Sequence, residues 1–492
     1  MVGVPELSQR RRLLVLAICC MSLLIVGMDN TIVNVALPSI RTDLHASLSG
    51  LQWTVDAYIL VLASLLMLSG SMADRFGRRR TFQTGLVLFT LGSLLCSIAP
   101  SLGWLIVFRM VQAVGGSMLN PVAMSIITNV FTEPRERARA IGVWGGVVGI
   151  SLGLGPVLGG VLIGTVGWRS IFWINIPIGL LAIILAARFV PESRAPRARR
   201  VDLVGQLLVI VLLAGLTYAI IDAPRAGWLS PTTLGLLVLA LVALGALLAY
   251  EPRRTDPLLE LRFFRSVPFS GATVLAVSAF GAFAGFLFLN TLYLQEVRGL
   301  SAIRAGLCTL PLAVMTLILA PLSGRVVGAR GPRLPLLAAG IAMGAGALML
   351  VRMEAETSLV WVLASYVVFG FGFAMVNAPI TNTAMAGMPR SQAGVAAAVA
   401  STSRQVGTAL GVAVVGSVLN SGLAGPLQTS FAAASHPGWW IVAGCGLAVL
   451  AVGALTSGPW AVATSARTAR LFDEDAREGQ DGVLTPAARS ER

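Results

Sequence analysis

Three ionisable side chains interrupt stretches that are otherwise apolar. Asp29 lies in Met28-Asp29-Asn30-Thr31-Ile32-Val33-Asn34, at the end of a long hydrophobic run. A carboxylate at bilayer depth costs about 2.5–3.5 kcal/mol on insertion scales. Such a group favours its neutral form, which makes Asp29 a candidate proton carrier or a site for a cationic substrate. The structural alternative is a hydrogen bond to a neighbouring helix, with Asn30, Thr31 and Asn34 close by. Arg109, in Phe108-Arg109-Met110-Val111-Gln112, needs partners if its guanidinium is buried. An acidic partner would let protonation switch a salt bridge. Asp56, in Trp53-Thr54-Val55-Asp56-Ala57-Tyr58, is expected at a shallow depth near the external face, where simple solvation and a functional role stand level.

Two further patterns concern movement. Gly70-Ser71-Met72-Ala73-Asp74-Arg75-Phe76-Gly77-Arg78-Arg79-Arg80 joins two apolar runs. Gly70 would permit close helix contact, and Gly77 supplies a turn conformation costly for other residues. Asp74 can satisfy a helix N-terminus or pair with an arginine across an interface. Arg75 and Arg78 either share that device or only fix topology. The second pattern runs from Gly145 to Gly160. Gly145, Gly149 and Gly153 recur every four residues, giving a smooth face for close helix approach. Gly155-Pro156 and Gly159-Gly160 follow, and Pro156 is expected to kink the helix.

The elements that must position these groups are membrane helices. The chain is 56% hydrophobic and only 12% charged, with a mean hydropathy of +0.82. A soluble domain is nearer a quarter charged, so most of this surface must face lipid. Stretches of roughly 20 apolar residues begin near Leu13, Leu51, Phe82, Leu102, Ala138, Ile171, Leu203, Thr232, Pro268, Ala305, Leu334, Leu359, Gly394 and Gly438, about fourteen spans in all. With a cytoplasmic N-terminus, about 28 arginines fall in cytoplasmic segments and 6 in external ones, leaving Arg109 and Arg404 within the membrane. That bias follows the positive-inside rule and puts both termini in the cytoplasm. Arg404 is expected near the cytoplasmic end of its helix, where it can snorkel.

Gly324 to Gly331 repeats the Gly70 to Gly77 spacing at an offset of 254 residues, with Gly328 and Ala329 in place of Asp74 and Arg75. The expected organisation is a six-helix half over 1–200, two inserted helices over 201–266, a second six-helix half over 267–465 and a disordered cytoplasmic tail over 466–492. Repeat-built halves with a midplane site between them are a common transporter plan.

These motifs resemble the major facilitator superfamily, and more narrowly its drug:proton antiporter branch with 14 spanning helices. The resemblance covers nearly the whole chain. It implies an all-α membrane fold of two six-helix halves plus two inserted helices. It further implies a helix 2–3 loop latch made by Gly70, Asp74, Arg75, Gly77 and Arg78, and proton coupling through Arg109. Gly149, Gly153, Gly155, Pro156, Gly159 and Gly160 are similar to the superfamily's antiporter motif, found mainly in exporters. Ala113 departs from the pattern, which usually has glycine there. Trp168-Arg169-Ser170-Ile171-Phe172-Trp173-Ile174-Asn175-Ile176-Pro177-Ile178-Gly179 is similar to the same branch, and suggests family without chemistry.

The expected function is therefore a proton-coupled exporter of hydrophobic or cationic small molecules, drugs or secondary metabolites. Asp29, Asn34, Asp56 and Arg109 are the candidates for proton coupling or substrate contact. An importer or facilitator of a polar solute on the same fold is the alternative. A membrane receptor or scaffold would carry a sizeable soluble domain, and the longest hydrophilic stretch is the short tail. No enzymatic role, nucleic-acid partner or cofactor is expected, and the protein is read as a monomer whose partners are lipid, protons and a small organic substrate. A nucleotide-binding G-x-x-x-x-G-K-[ST] loop would need a lysine, and every basic residue among the 36 is arginine. Five cysteines inside apolar stretches and two histidines give no metal-ligand spacing. Phe280, Phe283, Phe286, Phe369 and Phe373 are read either as an aromatic pocket or as packing.

Overall fold

A computed structural model describes residues 8–194, 202–254, 257–386, 388 and 393–470 except 462. The first part of the chain forms α1 (Gln9–Asp43), α2 (Leu48–Phe76), α3 (Arg78–Ser97), α4 (Leu102–Val130), α5 (Pro134–Thr165), the short α6 (Ser170–Trp173) and α7 (Asn175–Phe189). A pair follows, α8 (Leu203–Ala226) and α9 (Pro231–Tyr250). The remainder forms α10 (Val267–Leu292), α11 (Ala302–Cys308), α12 (Leu310–Arg330), α13 (Arg333–Leu348), α14 (Leu359–Met385), α15 (Ala393–Gly422) and α16 (Leu427–Thr456). Within a bilayer core every backbone polar group must be satisfied inside its own segment, so an apolar chain of this length resolves into helices. Helix starts carry the expected chemistry: Ser47, Asp202, Ser230 and Ser301 each accept a backbone N–H of the first turn.

Among the described residues, eleven helices are long and apolar enough to cross a membrane. This departs from the expected fourteen. α13 is only 16 residues long, α3 opens on three arginines, and α15 carries Arg404, Gln405 and several hydroxyls. Residues 463–470, which the sequence assigns in part to a disordered tail, are helical, and 471–492 lie outside the described residues. α5 runs through Pro156 as one continuous helix.

Packing groups α1 to α7 as one bundle and α10 to α16 as another. α1 lies on α5 and α2 and α3 lie on α4, while α10 packs on α15 and α13 on α14 and α16. α8 and α9 pair with each other, and α8 rests on α2 and α15. The second bundle's core is aromatic: Phe286 stacks on Phe369 at 4.1 Å and meets Trp439 edge-on, and Phe283 stacks on Phe373 at 4.1 Å.

The bundles meet through α2 on α15, α5 on α11 and α12, and α1 on α10. This seam closes at one end only. Gly142, Gly146, Gly149, Gly153 and Gly160 share one face of α5 by helical spacing. A methyl built on Gly142 or Gly146 meets nothing within 4 Å. On Gly149 it lies 3.4 Å from Leu317 Cα, on Gly153 3.0 Å from Ala313 Cβ, and on Gly160 2.6 Å from the Ala302 carbonyl oxygen. The bundles thus diverge from the end where α1 meets α2 toward the end where α2 meets α3. Polar clasps sit at the closed end. Gln295 donates to the Val35 carbonyl at 2.9 Å, Gln52 to the Ala413 carbonyl at 3.0 Å, and Arg41 pairs with Glu296 at 3.4 Å.

Candidate functional site: a buried charge cage in the first bundle

Asp29 and Arg109 come together. Five helices aim polar groups at one point inside the first bundle: α1 brings Asp29, α2 Thr54 and Tyr58, α3 Ser93, α4 Arg109 and Gln112, and α7 Asn175. Arg109 and Gln112 share a helix face because they are three residues apart. Gly92 and Gly115 let α3 and α4 approach closely, since a methyl on Gly92 would press on the Gln112 backbone at 2.6 Å. Ala113, where the family pattern has glycine, is fully buried in this packing.

The bonding is dense. One Asp29 oxygen pairs with Arg109 Nη1, and the other accepts from Gln112 Nε2 at 2.9 Å and Asn175 Nδ2 at 3.2 Å. Arg109 Nη1 also donates to Gln112 Oε1 at 2.7 Å, Arg109 Nε reaches the Thr54 carbonyl at 3.4 Å, and the guanidinium lies 4.0 Å over the Tyr58 ring. Ser93 Oγ accepts from Gln112 at 2.8 Å and Asn175 at 3.3 Å. Asp29 is 0% exposed and Arg109 1%. Two opposite charges so placed offset each other's desolvation only because their remaining valences are filled. Chemically, the cage holds one carboxylate charge against one guanidinium in the interior of a single bundle, where protonation would remove the ionic bond.

Asn175 belongs to the segment assigned family value but no chemistry. That reading is corrected: its amide is one of three donors on Asp29. Its signal was present as an isolated amide in the apolar run Ile174 to Leu185, as was the three-residue Arg109–Gln112 spacing. Asn175→Leu removes a hydrogen bond to a charged group, an interaction of about 1.5–3 kcal/mol. The expected result is a lower thermal midpoint with export weakened rather than abolished, measured on purified protein and in everted vesicles.

The other candidates lie elsewhere. Asn34 donates to the Asn30 carbonyl of its own helix at 3.1 Å and does not enter the cage. Asp56 is not solvated. It is 0% exposed, and neither carboxyl oxygen has a hydrogen-bond partner. It follows Gln52 by one turn, on the face of α2 that meets α15. Arg404 is likewise no snorkelling terminus, being the twelfth residue of α15.

The loop motif is folded locally. Asp74 pairs with Arg78 at 3.2 Å, four residues on across the Gly77 break, and not across the bundles. The start of α3 is served by Glu192 instead, which accepts from the Arg79 backbone at 3.1 Å and lies 3.8 Å from Arg80. Gly77 has φ +112°, a conformation that side chains rarely adopt, and a Cβ there would strike Glu192. Arg75 lies beside the exposed Phe76 ring, 5.6 Å from its centre. Gly70 faces open space, so the close contact expected of it is not made in this conformation. In the α5 motif, Gly155 and Gly159 face Thr31 and Ile32 of α1, Gly160 faces α11, and the Pro156 carbonyl abuts Gly306.

A polytopic helical membrane protein with two bundles closed at one end, and a charge cage inside the first, defines a transporter-type architecture. The Major Facilitator Superfamily model matches residues 19–412, and the chain belongs to that family. It is 39% identical over 419 residues to multidrug resistance protein Stp of Mycobacterium tuberculosis (strain ATCC 25618 / H37Rv), covering 85% of this chain and 78% of that one. It is 37% identical over 415 residues to the tetracenomycin C resistance and export protein of Streptomyces glaucescens, covering 84% and 77%. In fold it is similar to a bacterial homologue of the human lysosomal transporter Spinster in an inward-facing and occupied conformation. That match has a TM-score of 0.63 at 17% identity and covers 95% of this chain and 99% of that one. The D-xylose–proton symporter gives 0.62 at 17% identity, covering 89% and 97%.

Proposed function

We propose that this chain is a proton-coupled antiporter that exports hydrophobic drug-like molecules or secondary metabolites across the cytoplasmic membrane by alternating access between its two bundles. The observation that carries the reading is the Asp29–Arg109 cage, a charge pair sealed in one bundle, which a single proton on Asp29 would break. Relatives named for drug resistance and export support the direction of transport. The one-ended seam along α5 supports a cytoplasm-open state. In this reading α3, α13 and α15 also cross the bilayer, giving fourteen spans with both termini cytoplasmic, and the monomer is the working unit. The Gly70–Arg78 loop closes on the second bundle when the cavity turns outward. No cofactor is required: one proton moving through 100 mV supplies about 2.3 kcal/mol and half a pH unit about 0.7. Together they sustain roughly a 100-fold gradient of a neutral substrate.

Everted membrane vesicles test this. On adding a transported dye, the acidified lumen should lose protons as dye enters, measured by a pH-sensitive fluorophore. Dye uptake without proton release removes the coupling, and dye moving only out of the lumen favours an importer.

A further inference from the structure

The second bundle contains a cation that the coupling scheme does not use. Arg404 sits eleven residues into α15, about 16 Å along the helix. Its Nη2 donates to Thr381 Oγ1 at 2.7 Å, and its guanidinium carbon lies 5.9 Å from the Phe280 ring centre. Among the described residues no carboxylate lies within salt-bridge distance of it, and its buried Nε has no hydrogen-bond partner. Arg109, the other arginine at depth, has its carboxylate, the Gln112 amide oxygen and the Thr54 carbonyl in place. Arg404 is half-buried, with its Nε fully enclosed; an enclosed guanidinium N–H without an acceptor is costly, and ionisable groups inside a membrane protein mark ligand paths by default.

The surroundings fit a flat, oxygen-bearing ligand. Phe373, Asn377 and Thr381 recur every four residues and so form one stripe of α14. Phe373 packs edge-on against Phe280 at 5.2 Å, Thr381 holds Arg404, and Asn377 between them is exposed. Phe280 is half-buried, unlike Phe283 and Phe286, which are consumed by packing. The site thus presents a guanidinium with a free Nε–H, an aromatic face and an exposed amide. A guanidinium's planar fork matches carboxylate oxygens and stacks on aromatic faces. It also repels an organic cation.

We infer that Arg404, with Phe280, Asn377 and Thr381, is a substrate subsite for planar aromatic compounds bearing an ionised oxygen, a phenolate or a carboxylate. This rests on the exporter reading and narrows its substrate class from hydrophobic drug-like molecules or secondary metabolites to aromatic acids.

The test uses two dyes with one xanthene ring and opposite charge, fluorescein and rhodamine 123, bound to the purified full chain in detergent and followed by anisotropy. Wild type should bind fluorescein at least about tenfold more tightly than rhodamine 123. Arg404→Gln should weaken fluorescein roughly 10- to 100-fold, Arg404→Lys should fall between, and Arg404→Glu should invert the preference. Removing an unpaired charge should leave the thermal midpoint of Arg404→Gln unchanged or raised, a readout that a purely structural arginine would move the other way. Equal affinity for both dyes, an unchanged fluorescein affinity in Arg404→Gln, or unfolding of both Arg404→Gln and Arg404→Met would overturn the subsite. Uptake in everted vesicles separates the two readings. Arg404-dependent binding without uptake removes the exporter and keeps the subsite, whereas uptake indifferent to Arg404 does the reverse.

Discussion

Asp29→Asn should abolish proton-driven export and destabilise the protein by about 3–5 kcal/mol, the usual consequence of removing one partner of a buried ion pair. The substitution is nearly isosteric. The amide oxygen can still accept from Gln112 and Asn175, so the packing of five helices survives. What disappears is the charge that offsets the Arg109 guanidinium, 1% exposed and held by neutral groups alone thereafter. Two measurements check this: thermal unfolding in detergent, and dye uptake with proton release in everted vesicles. The double variant Asp29→Asn with Arg109→Gln removes both charges together. It should recover most of the lost stability while remaining inactive, because the stability term belongs to the pair and the coupling term to the proton. Double-mutant coupling near zero, or substrate-induced proton release at the wild-type rate in Asp29→Asn, would end the case for this cage as the coupling element.

The second large effect concerns the seam. Gly306→Ala should shift the protein toward the state in which this end of the seam is open. A methyl on Gly306 would meet the carbonyl oxygen of Pro156 in the other bundle. Backbone faces backbone, so no rotamer relieves the contact, and the bundles must part. Overpacking of this kind costs about 1–3 kcal/mol, which moves a two-state equilibrium roughly 5- to 150-fold. The probe is a cysteine at Ile303, which lies against Gly164 on the same seam, introduced after replacement of the five natural cysteines. An impermeant maleimide added outside should label it faster in Gly306→Ala than in the parent. Gly324→Ala, where a methyl meets open space, is the control and should change nothing. Equal labelling in all three would mean that this contact does not restrain the transition.

Composition, hydropathy and local motifs were enough to set the solvent this chain lives in, its helical class, the family, and the charged residues that depth makes expensive. Those properties are sums along one segment, and hydropathy or arginine counts over 20 residues capture them. Asp29, Arg109 and the α5 glycines could be singled out for that reason. Partners came from the packing of helices against one another. That Gln112, Ser93 and Asn175 complete the Asp29 cage depends on how three further helices are rotated about their axes, which no linear pattern records. For Asp56, solvation and function stood level because it falls early in its span; its burial came from α15 lying across that face of α2. Arg404 was expected near the cytoplasmic end of its helix, yet α15 begins at Ala393 and carries it three turns in, beside Thr381. The loop carboxylate that serves α3 is Glu192, more than a hundred residues from the motif, because the segment after α7 folds back beneath it. Segment chemistry therefore fixes depth and cost, while azimuth and helix crossing fix partners, and partners separate a charge held in balance from one left free for a ligand.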